Sequence, residues 1–253
     1  MIKPGFIKAQ VAKSAANRQT SPFLRRLVFS VVDEVAVAHY GALYPTKCLQ
    51  TSAAIRAVLE RFGIQSRLWV GAVCVAEVFE DAGFASWGGF WDQDHHLWLT
   101  TEYDELVDLS ISQVHRHPRS QRSDGIGMPA VWWSDIGQWP PVIRYLPDAP
   151  VKVALPGEDA ADLAVFQGKV MAALDARLAT GSVQDTLYAR MLCDVDAMNE
   201  ATRRGDPWLT RAVVFVDGRI PFPAWIQERE RELNQLGAAA PRRLAGLEAD
   251  AAD

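Results

Sequence analysis

The segment HHLWLTTEYDELVDLS, residues 95–110, constrains this chain more than any other stretch. Two alternating apolar runs flank a short polar turn at Glu102, Tyr103 and Asp104, a pattern that predicts an antiparallel hairpin. Alternation puts His96, Trp98 and Thr100 on one face of the first run and His95, Leu97 and Leu99 on the other. On the second run Leu106 and Asp108 share a face. Asp108 stands between Val107 and Leu109, where a carboxylate is costly to bury unless it is paired. A hairpin closing around Tyr103 and Asp104 places Asp108 opposite or diagonal to residues 95–99. A carboxylate there fixes the tautomer and orientation of a histidine ring. Architecture alone accounts for either feature taken singly: Asp108 as an acceptor of backbone hydrogen bonds, the histidines as solvent-facing residues.

The rest of the chain supplies a frame for that hairpin. Residues 1–20 are polar and are expected to be loosely held. Ser21 as N-cap and Pro22 at the first helical position open a helix whose apolar residues recur through Val37, with Gly41 as its stop. In YPTKCLQTSAAIRAVLERFGI, Thr46 is the expected N-cap and Gly63 the C-terminal stop. Leu49, Ala53, Ile55, Val58, Leu59 and Phe62 cover much of that helix, which predicts deep burial. SRLWVGAVCVAEVF reads as a strand, and EDAGFASWGGFWDQD as a Gly- and Trp-containing loop. Residues 113–150 read as irregular, with short strands at PAVWW and VIRYL; VKVAL is a further candidate. A helix with an acidic first turn follows over 156–180, then a second over 182–205. RAVVFVDGRI has strand character, and the tail after Gly237 is rich in Ala and charge. No fixed-period repeat is visible. The order predicts an α+β fold with mostly antiparallel pairing: one domain over 21–235 with a helical C-terminal extension, and a flexible tail over 236–253.

Composition narrows the function classes. A chain of 253 residues with a net charge of −5 carries no basic stripe of the kind that nucleic-acid binders use, so no nucleic-acid partner is expected. No continuous run of about twenty apolar residues predicts a membrane span, and the N-terminus lacks the apolar core of a secretory signal. Cys48, Cys74 and Cys193 are odd in number and widely spaced, which fits free thiols in a reducing, cytoplasmic setting. No C-x-x-C pair suggests zinc.

Cys48 falls in the first turn of the second helix, where partial positive charge and free N–H groups stabilise a thiolate and can hold an oxyanion. A buried cysteine packed as a small hydrophobe occupies such a place equally well. Taken with the hairpin, Cys48 gives the chain order Cys, His, Asp. KCLQTSAAIRAVLERFGIQSRLWVG resembles the nucleophile helix and following strand of the transglutaminase-like superfamily, His96-Leu97-Trp98 resembles its H-x-W strand, and Leu106–Ser110 resembles its strand with a D-P-T/S ending. The resemblance covers residues 45–110. It implies a transglutaminase-like, papain-like fold in which Cys48 is the nucleophile, His96 the base and Asp108 its orienter. Leu97 stands where a small residue is usual and Leu109 where proline is common, and GGFWDQD has no counterpart in the pattern. The implied chemistry is acyl transfer through a thioester, to water or to an amine, on a peptide or other amide-containing substrate without a cofactor.

Other features are weaker. Trp87 and Trp91 lie in the Gly-containing loop and, with Trp98, are candidate walls of a substrate cleft. Asp92, Asp94, His95 and His96 form a dense donor cluster, but adjacent histidines on a strand point to opposite faces, so no metal is expected. HRHPRSQR, residues 115–122, reads as a solvated basic loop. The competing reading is a non-enzymatic module in which the region after residue 113 is a surface for a protein partner.

Overall fold

Two helices and a hairpin set the frame. The structure, a computed structural model, describes residues 2–81, 85–90, 96–120, 122–134, 142–151, 157–181, 188–212 and 220–239. Helix α2, Pro22–Tyr40, begins as expected: Ser21 is its N-cap and its side chain accepts the Leu24 N–H, with Pro22 at the first position. Helix α3, Cys48–Arg61, ends in the αL turn that the sequence predicts. Gly63 has φ +74°, its N–H bonds to Glu60 O at 2.9 Å, and the Ile64 N–H bonds to Leu59 O at 3.0 Å. A residue other than Gly is strained there, and Ile64 and Leu59 both enter the core beside the turn. The start of α3 differs from expectation. Residues 41–46 form a 3-10 turn, the Thr46 hydroxyl is committed to Leu43 O, and Lys47 is the N-cap without a side-chain bond.

The N-terminal segment is not loose. Residues Pro4–Asn17 form helix α1, tied down at both ends. The Ile2 N–H reaches Leu178 O, and the buried Ser14 hydroxyl accepts the Ser21 N–H at 2.9 Å while donating to Gln10 O. Phe6 sits edge-on to Phe23, with ring centroids 4.9 Å apart. By length and composition Pro22–Thr46 is apolar enough to cross a membrane, although its apolar residues are not continuous. In the fold Leu24, Leu27, Val28, Val31 and Val32 of α2 are buried in the protein core, as the apolar stripe of a packed helix is.

The fold is α+β. The sheet is built on strand β1, Ser66–Val78. β3, His96–Thr101, pairs antiparallel with its first half and β2, Ala85–Phe90, with its second half. β6, Ile143–Pro150, pairs with residues 69–75 of β1 along the opposite edge. β4, Leu106–Asp108, joins β3 to β5, Ala130–Trp133, and β7, Met191–Leu192, adds a parallel pairing to β5. The predicted loop over 80–94 therefore contains a strand. Its glycines conceal it from propensity, yet Gly88 is needed: a Cβ there would lie 2.1 Å from Glu77 Cγ, because the Glu77 side chain folds over it.

Helix α4, Gly157–Thr180, packs with α2 and α3 on one face of the sheet, around Leu68, Leu99, Val107 and Trp132. The opposite face carries Val73, Val75, Trp98, Trp133, Ile143 and Tyr145, covered in part by helix α5, Val195–Arg203, and by Trp208. The helix expected over 182–205 is in its described part a strand and a short helix. Asp194 interrupts it by capping α5 through the Ala197 N–H at 2.7 Å. Helix α6, Ala224–Ala239, packs near β6 through Ile226. Most of the expected tail lies outside the described residues, as do residues 152–155 of VKVAL and most of RAVVFVDGRI.

A buried ion pair fastens α2 to the hairpin. Arg25 Nη2 lies 2.6 Å from Glu105 Oε1, and Glu105 also accepts from the Thr20 N–H and from the hydroxyls of Thr20 and Thr101. Every oxygen of this desolvated carboxylate has a donor, the condition under which a buried charge is tolerated.

Candidate active site

The β3–β4 register fixes the first relation. Leu99 faces Val107 and Thr100 faces Leu106. One step further along, Asp108 stands opposite Trp98, so His96 is its diagonal neighbour on the same face, within reach of long side chains. His96 Nε2 lies 2.6 Å from Asp108 Oδ2, and both side chains are buried. A carboxylate only accepts, so Nε2 carries the proton and donates it. Nδ1 is then the nitrogen left for Cys48, whose side chain also hydrogen-bonds His96. Cys48 is partly exposed and is the first residue of α3, at the end of the helix where backbone N–H groups lack intrahelical partners.

Asp108 is held from four sides. Oδ2 accepts from His96 and from the Tyr145 hydroxyl at 2.9 Å; Oδ1 accepts from the Ser110 hydroxyl at 2.8 Å and the Ile111 N–H at 3.1 Å. The last two arise from the local turn, because residues 110–116 form a 3-10 helix directly after β4. Burial alone would depress the His96 imidazole. The Asp108 charge and hydrogen bond oppose that, Cys48 adds to them, and His96 is pushed up to about 10. The ring is therefore an imidazolium at neutral pH.

Trp98 is buried behind the histidine, its ring 6.2 Å from His96 and inclined by 23°, and it meets Tyr145 edge-on at 5.1 Å. Gly71, opposite His96 in the β1–β3 register, leaves room for this packing. A Cβ at Gly71 would lie 2.2 Å from Leu146 O and 2.8 Å from the Trp98 ring.

The structure thus brings Cys48, His96, Asp108 and Trp98 together. Trp87 sits elsewhere: it pairs with Ala76, five residues along β1 from Gly71, or about 16 Å at the usual rise. Its indole N–H donates to Pro221 O at 2.8 Å, and its ring lies 4.1 Å from that of Phe222. Trp91, Asp92, Asp94 and His95 lie outside the described residues. Among the described residues no cluster of three or more His, Cys, Asp or Glu side chains is arranged to hold a metal. In the basic segment, Arg122 is engaged by Asp124 and Asp81 and lies over the Phe79 ring.

The other thiols differ from Cys48. Cys74 is fully buried in β1, and burial pushes it up to about 12. Burial also raises Cys193, although Arg25 beside it pulls the other way.

Sequence reasoning missed Tyr145, Ser110 and Gly71. A tyrosine in the apolar run VIRYL is itself a signal, because a buried hydroxyl needs a partner; that the partner lies 37 residues away is set by the pairing of β6 with β1. Compared with known proteins, the chain matches no protein-family model, and no curated protein or solved structure gives a significant match.

Proposed function

We propose that this protein is a cysteine-dependent acyl-transfer enzyme or amidase on a transglutaminase-like, papain-like fold, acting on a peptide or other amide-containing substrate in the cytoplasm. The observation that carries the reading is the buried His96–Asp108 bond of 2.6 Å with Cys48 as the second partner of the same ring. Three short motif resemblances, carrying Cys48, His96 and Asp108, lie together in space, an arrangement that supports nucleophilic catalysis.

In this mechanism Cys48 reacts as a thiolate paired with the His96 imidazolium, whose Nδ1 already holds the thiol proton and whose charge Asp108 stabilises. The sulfur attacks the substrate carbonyl, and the carbonyl π electrons move to oxygen, where the Cys48 N–H at the start of α3 is a donor for the developing charge. Collapse re-forms the carbonyl and breaks the C–N bond, and His96 protonates the departing amine. Water or a second amine then attacks the thioester, giving a proton to His96, and the sulfur leaves. Trp98 packs behind His96 and keeps that side of the ring from water.

Brief treatment with limiting iodoacetamide at neutral pH, followed by peptide mapping, tests this. Cys48 is expected to carry most of the label. His96→Ala is expected to slow its labelling, whereas His95→Ala leaves it near the original rate. Labelling led by Cys74 or Cys193 would overturn the reading and favour a binding module on the same scaffold.

A further inference from the structure

The geometry points to Tyr145 as a positioning residue for the base: its hydroxyl shares Asp108 Oδ2 with His96 and so sets how firmly the carboxylate holds the histidine proton. This inference rests on the proposed role of His96.

The placement follows from strand alternation. Val73 faces Tyr145 and Val75 faces Ile143 in the β1–β6 register, so Ile143 and Tyr145 enter the buried face. Arg144 between them turns away to Glu230, 2.8 Å distant. The Tyr145 hydroxyl is thereby carried under the sheet to Asp108 from β6, which pairs with the edge of β1 opposite to β3. A carboxylate offers about four acceptor directions. Here all are used, two on each oxygen, by donors from three parts of the chain: β3, the turn after β4, and β6. Rotation of the carboxylate breaks several of these bonds at once.

Ser110 and Ile111 hold Oδ1 and serve to orient the group. Tyr145 is different because it competes with His96 for the same oxygen. A donor on Oδ2 draws off part of the charge that stabilises the imidazolium. The charged or titratable groups facing His96 are Asp108 and Cys48, and those facing Asp108 further include Tyr145 and Tyr44. Burial followed by the Asp108 charge keeps the Tyr145 hydroxyl protonated far above neutrality, so it remains a donor throughout the range in which His96 acts.

Tyr145→Phe keeps the ring and its edge contact with Trp98 and removes only the donor. The His96 ring titration, followed by NMR and assigned through His96→Asn, is expected to move to higher pH by about half a unit or more. The alkaline limb of Cys48 alkylation is expected to move with it. Incorporation of 3-fluorotyrosine at position 145 strengthens the donor and is expected to move the titration the other way, which supplies a second reading should the Phe variant not fold. A lowered melting temperature with an unmoved His96 titration would make Tyr145 purely structural and overturn the inference. Failure of the proposed function gives a different signature: Cys48 no more reactive than Cys74 or Cys193, whatever Tyr145 does to the ring.

Discussion

Replacing Asp108 by Asn has a consequence that the hydrogen-bond geometry dictates. The Ile111 N–H can only donate, so the amide oxygen must take the Oδ1 position, where Ile111 at 3.1 Å and Ser110 at 2.8 Å require an acceptor. The amide nitrogen then falls at the Oδ2 position, facing Tyr145 and His96. The Tyr145 hydroxyl can turn and accept. The His96 Nε2 must also accept, which moves its proton to Nδ1. With Nε2 accepting, the ring cannot take a second proton without losing that bond, so the imidazolium that partners the Cys48 thiolate is disfavoured, and the burial that opposes a charged ring is no longer offset by the Asp108 charge. The Ser110 and Ile111 bonds survive in neutral form, the Tyr145 and His96 bonds reverse direction, and the charge assistance of the His96 bond is lost. The expected cost is about 1.5–3 kcal/mol, a fall in melting temperature of roughly 3–12 °C for a chain of this size. Cys48 turnover or alkylation at neutral pH is expected to drop on the order of ten- to a thousand-fold. In a serine triad the same exchange costs about ten-thousand-fold, and a thiol depends less on its base than a hydroxyl does. Thermal melts and iodoacetamide rates from pH 6 to 9 on one preparation decide the matter. A lowered melting temperature with a Cys48 profile superimposable on that of the unaltered protein would refute the tautomer argument and leave Asp108 as a structural acceptor only.

Two further outcomes follow from the site. Because His96 is raised from its ordinary value to about 10, its contribution to stability is complete below about pH 6.5 and is lost as the pH rises through 10; chemical unfolding at pH 6 and pH 9.5 should show a fall on the order of a few kcal/mol that is smaller in His96→Asn. Gly71→Ala places a Cβ against Leu146 O and the Trp98 ring, so it should cost about 3 kcal/mol or more and loosen the His96 site; a melting temperature within about 2 °C of the original would show that β1 and β6 part without strain.

Local rules written in the sequence determined much of the frame. Ser21 and Pro22 start α2, Gly63 ends α3, and the alternation on either side of Glu102–Asp104 makes the hairpin, because caps, αL turns and period-two patterning are settled within a few residues. The same patterning set Asp108 against residues 95–99, since the hairpin register needs no distant information, and the H-x-W resemblance selected His96 from the two histidines. Where a partner came from afar, the sequence was silent or misleading. Residues 1–20 look loose in the sequence because the anchors of that segment, Leu178 for Ile2 and Ser21 for Ser14, lie elsewhere in the chain or the fold. The strand at Ala85–Phe90 is hidden by its glycines, of which Gly88 admits the Glu77 side chain from β1. Thr46 resembled an N-cap, but the 3-10 turn that delivers Cys48 took its hydroxyl instead. Tertiary structure alone decided that Cys48 shares the His96 ring and that Tyr145 shares the Asp108 oxygen, because each joins elements that only sheet and helix packing bring together.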